Sequence, residues 1–82
     1  MNIKEETREI LTNPPGDMPY ICFKRYVEGE SWPQIAFIIP ELTGNLCFYL
    51  GNVFAAMETG VLPPPKKFSS VEEVIADGWE VD

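Results

Sequence analysis

Two runs of strand-forming residues constrain this chain more than any other feature. Residues 18–27 read MPYICFKRYV and residues 32–39 read WPQIAFII, with Glu28-Gly29-Glu30-Ser31 between them. Aromatic and β-branched side chains suit a pleated surface, and a glycine between such runs supplies the positive φ of a turn. The pattern predicts an antiparallel hairpin. Tyr20, Cys22, Lys24 and Tyr26 share one face of its first strand, and Ile21, Phe23, Arg25 and Val27 the other. In the second strand Ile35, Phe37 and Ile39 alternate with Gln34, Ala36 and Ile38, and Pro33 suits the start of a strand or an edge. Both faces are largely apolar, so either both are covered or one is a working surface.

The flanking segments predict helices. In residues 2–12, Ile3, Thr7, Ile10 and Leu11 form one stripe of period 3.6, Glu5 and Glu6 sit in the first turn, Asn13 suits a left-handed C-terminal position, and Pro14-Pro15 ends the helix. Residues 43–59 fit two patterns. As a helix, Leu46, Leu50, Val53, Phe54 and Met57 line one face and Gly60 closes it. As strands, 46–50 and 53–57 flank a Gly51-Asn52 turn. The helix is the reading adopted. Residues 60–67, with three successive prolines, read as a stiff polyproline connector. Ser70 with Glu73, or Ser69 with Glu72, has capping-box spacing ahead of Val71, Val74 and Ile75. Gly78 closes that helix and residues 79–82 read as a strand. The sum is one α+β domain over residues 1–82. It has an antiparallel sheet built on a central hairpin (about 18–27 and 32–39), two or three helices (about 2–12, 43–59 and 70–77) and a short C-terminal strand.

Eighty-two residues supply one core and a thin stability margin, for which homo-oligomerisation is a common remedy. Cys22 and Cys47 stand alone without histidine, so no zinc site is expected. They read as small packed apolar residues, with a disulfide as the alternative in an oxidising compartment. Residues 1–9 lack the apolar core of a signal peptide. The longest apolar stretch, roughly 46–57, is broken by Gly51 and Asn52, where a membrane span needs about 20 residues. No membrane association and a cytoplasmic location, the host's if the chain is viral, are therefore expected.

Catalysis is not expected. The chain has no histidine, the commonest general base, and no phosphate-loop motif. The loop carboxylates Asp17, Glu28 and Glu30 read as turn formers, and neither metal nor cofactor is expected.

Thirteen acids against six bases give a net charge of −7. After Phe68 come Glu72, Glu73, Asp77, Glu80 and Asp82 with no base. Such a balance disfavours nucleic acid and favours basic surfaces, although a solvated surface that keeps a small protein soluble has the same composition. The expected function is a protein-interaction module that inhibits or adapts a partner with a basic surface, docking through Glu72, Glu73, Asp77, Glu80 and Trp32. The profile resembles that of many phage-encoded inhibitors of host proteins. The alternative is an oligomeric small-ligand binder that sequesters a nucleotide-like molecule at Tyr20, Lys24, Arg25 and Tyr26, where rings and cations interleave.

Overall fold

Asn2 opens the first helix by accepting a hydrogen bond from the Glu5 amide at 2.9 Å, which satisfies one of the unpaired donors of the first turn. The computed structural model describes residues 2–82; Met1, included in the expected domain, lies outside the described residues. The helix, α1, spans Ile3–Thr12. At its end Asn45 Nδ2 donates to the Leu11 carbonyl at 2.8 Å. Asn13 does not take the left-handed conformation expected of it. Its φ is −142°, because the proline that follows pushes it to extended geometry.

The hairpin forms as β1 (Ile21–Arg25) and β2 (Gln34–Ile38), antiparallel from Ile21 opposite Ile38 to Arg25 opposite Gln34. Both strands are shorter than 18–27 and 32–39. Pro19 and Pro33 lack the amide that would extend a ladder. The loop turns where the Glu30 amide reaches the Val27 carbonyl at 3.1 Å, with Gly29 at φ 87°.

Pro40 does more than end the strand. It starts a one-turn helix, α2 (Pro40–Thr43), where its fixed φ is already helical. The single helix expected over 43–59 is not formed. Residues Cys47–Tyr49 make β3, antiparallel to β2, and only Val53–Thr59 are helical, as α3. Each competing reading describes one half. The free edge of β2 draws 47–49 into the sheet. Asn52 then starts α3 by accepting from the Phe54 amide at 2.8 Å. Gly51, at the junction, lies against Pro63, whose side chain a Cβ there would meet at 3.2 Å.

The proline run is not only a connector. It ends in β4 (Pro65–Lys67), paired antiparallel with β3. Ser70, rather than Ser69, caps α4 (Val71–Ala76). The chain closes with β5 (Glu80–Val81) beside β1. The sheet order is β4-β3-β2-β1-β5.

The two faces of this sheet differ. On one, Leu11 of α1 and Val74 of α4 close over Ile21, Phe23, Ala36, Ile38, Phe48, Phe68 and Trp79. On the other, α3 alone contributes Val53 to a smaller cluster with Phe37, Cys47 and Tyr49. The result is two full layers and part of a third, in a slab of 34 × 34 × 22 Å. The cysteines lie on β1 and β3 with β2 between them. Two strand spacings, about 9.6 Å, exceed the reach of a disulfide, and both thiols are free.

Both sheet edges are closed to strand addition. On β5 the outward amide is that of Val81, which donates to Thr7 Oγ1 at 3.0 Å; that buried hydroxyl in turn donates to the Ile3 carbonyl at 2.7 Å. On β4 the Phe68 amide points inward to Leu46. Positions 67, 65 and 63 therefore point outward, and two of these are prolines with nothing to donate. Thr7→Val keeps the shape and removes both bonds. The expected cost is about 1–3 kcal/mol, read as a fall in Tm of about 4–8 °C per kcal/mol.

Candidate binding face

Seven residues of α3 cannot cover a five-stranded sheet. The helix turns Val53 and Ala56 toward the sheet. Its neighbours Phe54 and Met57 are left 63% and 59% exposed. On β2, Ile35 shares the face of Phe37 and is 42% exposed. Tyr20 meets Phe54 edge to face at 6.4 Å between ring centroids. A groove of about 340 Å³ runs between Tyr20, Phe37, Ile39, Val53, Met57 and Leu62. A second depression, about 240 Å³, is lined by Cys22, Ile35, Val53 and Phe54 among others, with Asp82 its one charged residue. Together Ile35, Phe54, Met57 and Leu62, with the half-buried Tyr20, make a band of apolar side chains open to solvent on this face. Small soluble domains rarely leave such a patch without a partner.

Of the acidic residues expected to dock, Glu72, Glu73 and Asp77 are placed elsewhere. Glu72 is held by Arg8, whose Nη2 lies 2.9 Å from Oε1. Asp77 is an internal hub: its Oδ2 accepts from Arg25 Nη1 at 2.8 Å, Lys66 Nζ at 3.0 Å and Trp79 Nε1 at 3.0 Å. Partial burial pushes the Asp77 carboxyl up. The hydrogen bond from Lys66, the charges of Arg25 and Lys66 and the bond from Trp79 outweigh this and hold it below the usual carboxylate value. Glu73 is exposed on α4, on the opposite side of the sheet from the apolar band; Glu80, half-buried on β5 opposite Lys24, lies on the band's side of the sheet. Trp32 stands in the hairpin loop, 82% exposed. The structure does not bring these five residues to one surface.

Nor does it gather the alternative set. Lys24 and Arg25 are consecutive in a strand and point to opposite faces. Arg25 is taken up by Gln34 and Asp77 and stacks on Trp79, 4.7 Å from its ring centroid. Lys24 lies 3.7 Å from Asp82 and 5.8 Å from the exposed Tyr26 ring. Tyr20 lines the apolar groove, which neither cation lines; Lys24 stands further along the same face of the chain.

Sequence reasoning did not single out Ile35 and Leu62 as site residues, and placed Phe54 and Met57 with Leu46, Leu50 and Val53 on one face of a single helix. The hairpin's two apolar faces were legible, but how much helix remains to cover them was not, because residues 46–57 fit both periods.

Cys22, half-buried on this face, has its thiol pushed up by burial and by the charge of Asp82. It should stay protonated at neutral pH, alkylate more slowly than free cysteine and keep accelerating with pH beyond the point where free cysteine levels off. Alkylation followed by mass spectrometry checks this, with Cys47 labelled only on unfolding. Among the described residues no cluster of Cys, Asp and Glu could hold a metal ion, and no helix is long and apolar enough to cross a membrane. Compared with protein-family models, with curated proteins and with solved structures, the chain matches none of them, so its function has to be argued from this face.

Proposed function

We propose that this chain is a non-catalytic binding protein that docks a partner protein on the apolar band of its half-covered sheet face, and so blocks or adapts that partner. The observation that carries the reading is the band itself, uncovered on a sheet whose edges are both closed. With strand addition unavailable, a face-on contact is what remains. Buried aromatic anchors supply most of the energy in such contacts, and the surrounding charge governs steering and choice of partner. The net charge of −7 then favours a partner with basic surroundings. The acidic residues act as a field around the contact rather than as its centre. No feature of the groove favours a nucleotide, because no cation lines it.

Co-purification from the cells that make the protein tests this, using the double variant Ile35→Ser/Phe54→Ser against Glu73→Gln/Glu80→Gln. The apolar variant should stay folded, with a modest fall in Tm from the partly covered Ile35, and lose a partner by about thirtyfold in affinity, the effect of one ~2 kcal/mol hot spot. The acidic variant should keep the partner and show weaker salt dependence. The reverse pattern would return the docking surface to the acidic tail.

A further inference from the structure

We infer that the occupant of the groove beside α3 is a cationic amphipathic helix of the partner protein, an inference that rests on the binding-protein reading above. Its apolar side chains enter the two depressions and its Lys or Arg side chains face the carboxylates around them.

Four observations carry this. First, charge at the groove is one-sided. No cation lines it at Tyr20 and Met57, nor the flank of α3 between Ala55 and Pro63. At the depression by Ile35 the one lining charge, Asp82, is paired with Lys24, which stands opposite Ile35 on β1. Asp17, Glu41 and Glu58 adjoin the groove-lining stretches in the chain, one to two residues away. Second, this protein's own cations are mostly spent. Arg8, Lys24, Arg25 and Lys66 each pair with a carboxylate, which leaves Lys4 on α1 and Lys67 on β4 among the described residues. A second copy would therefore bring another charge of −7 against this face with little to offset it. An anionic ligand meets the same repulsion. Third, Phe54 belongs to one depression and pairs with Tyr20 of the other. A single small apolar molecule fills one and leaves the other bare, whereas side chains spaced along a polymer fill both. Fourth, the closed edges exclude an extended strand, which leaves an element with its own backbone hydrogen bonds satisfied, as a helix in a groove has.

The test titrates isotope-labelled protein with two synthetic helices about four turns long, roughly 14 residues each. One carries Leu on one face and Lys on the other; its counterpart carries Glu in place of Lys. The expected result is that the Leu/Lys helix shifts the backbone amides of Tyr20, Ile35, Val53 and Met57, and that its affinity falls as salt is raised. The Leu/Glu helix should leave these amides unmoved. Phe54→Ser/Met57→Ser, both exposed positions, should keep the Tm and weaken the Leu/Lys helix by about tenfold or more. Equal binding of both helices, or shifts confined to α1 and α4, would overturn the inference. So would shifts at the same four amides that depend on protein concentration without any helix, since a second copy then fills the groove. If co-purification still requires Ile35 and Phe54 while the Leu/Lys helix fails, the cationic helix is wrong and the binding reading stands. If co-purification does not require them, the binding reading itself falls.

Discussion

Phe48→Ala is expected to destabilise the protein by about 3–5 kcal/mol, the range for removing a buried aromatic ring. Phe48 is 0% exposed at the centre of the helix-covered face. Its ring lies 4.7 Å from that of Phe23, 5.3 Å from Phe68 in a T-shaped contact and 5.7 Å from Trp79. These rings come from β1, β3, the segment after β4 and the turn before β5, so one truncation loosens contacts across the whole sheet. A domain of this size has about 4–12 kcal/mol of total stability at the usual share per residue. The loss should lower the Tm by at least about 12 °C, or leave the protein unfolded. Phe54→Ala is the control. That ring is mostly in solvent, and its removal should stay within about 0.5 kcal/mol. Thermal unfolding of both variants separates rings that hold the fold from rings free to meet a partner.

The second large effect is expected at Asp77. Asp77→Asn keeps the size and removes the charge on which Arg25, Lys66 and the Trp79 indole converge. Arg25 and Asp77 are mostly shielded, at 24% and 28% side-chain exposure. The loss should be about 1–3 kcal/mol at neutral pH, as for hydrogen bonds to a partly buried charged group. Its pH dependence follows from the sign of the shift. The folded carboxyl titrates below its ordinary value near 3.8. Its contribution is therefore complete above that value and is lost as pH falls through the lower, folded one. Wild type and Asp77→Asn should differ at neutral pH and converge in strong acid. Denaturant titrations along a pH series measure this. Glu72→Gln, which breaks the exposed pair with Arg8, should leave the Tm unchanged because solvent screens that contact.

The sequence read well where local signals agree. Alternation and Gly29 marked the hairpin, the apolar stripe and Pro14-Pro15 marked α1, and the Ser70–Glu73 spacing marked α4. It read poorly where a distant partner decided the outcome. Residues 46–57 satisfy a helical and a strand period at once, and the unpaired edge of β2 selected a strand for Cys47–Tyr49. Pro65–Lys67 has weak local strand propensity and is a strand because its register meets β3. The candidate site was harder still. Phe48 and Phe54 lie six residues apart in one apolar run, one buried and the other exposed. Which is which depends on how much helix remains to cover the second face. Asp77 looked like a free tail carboxylate because its cation Arg25 is fifty-two residues away in the chain. What the hairpin did announce was two apolar faces. The fold covers one and half-covers the other.

Site-specific photo-crosslinking tests the central claim most directly. A photoreactive phenylalanine is placed at Phe54 or Met57 on the apolar band, and at Glu5 or Glu73 on the helices of the other face, in the cells that make the protein. The account predicts a crosslink to one partner protein from Phe54 and Met57, and none from Glu5 or Glu73. Crosslinks from Glu5 or Glu73 alone, or none at the band, would contradict it.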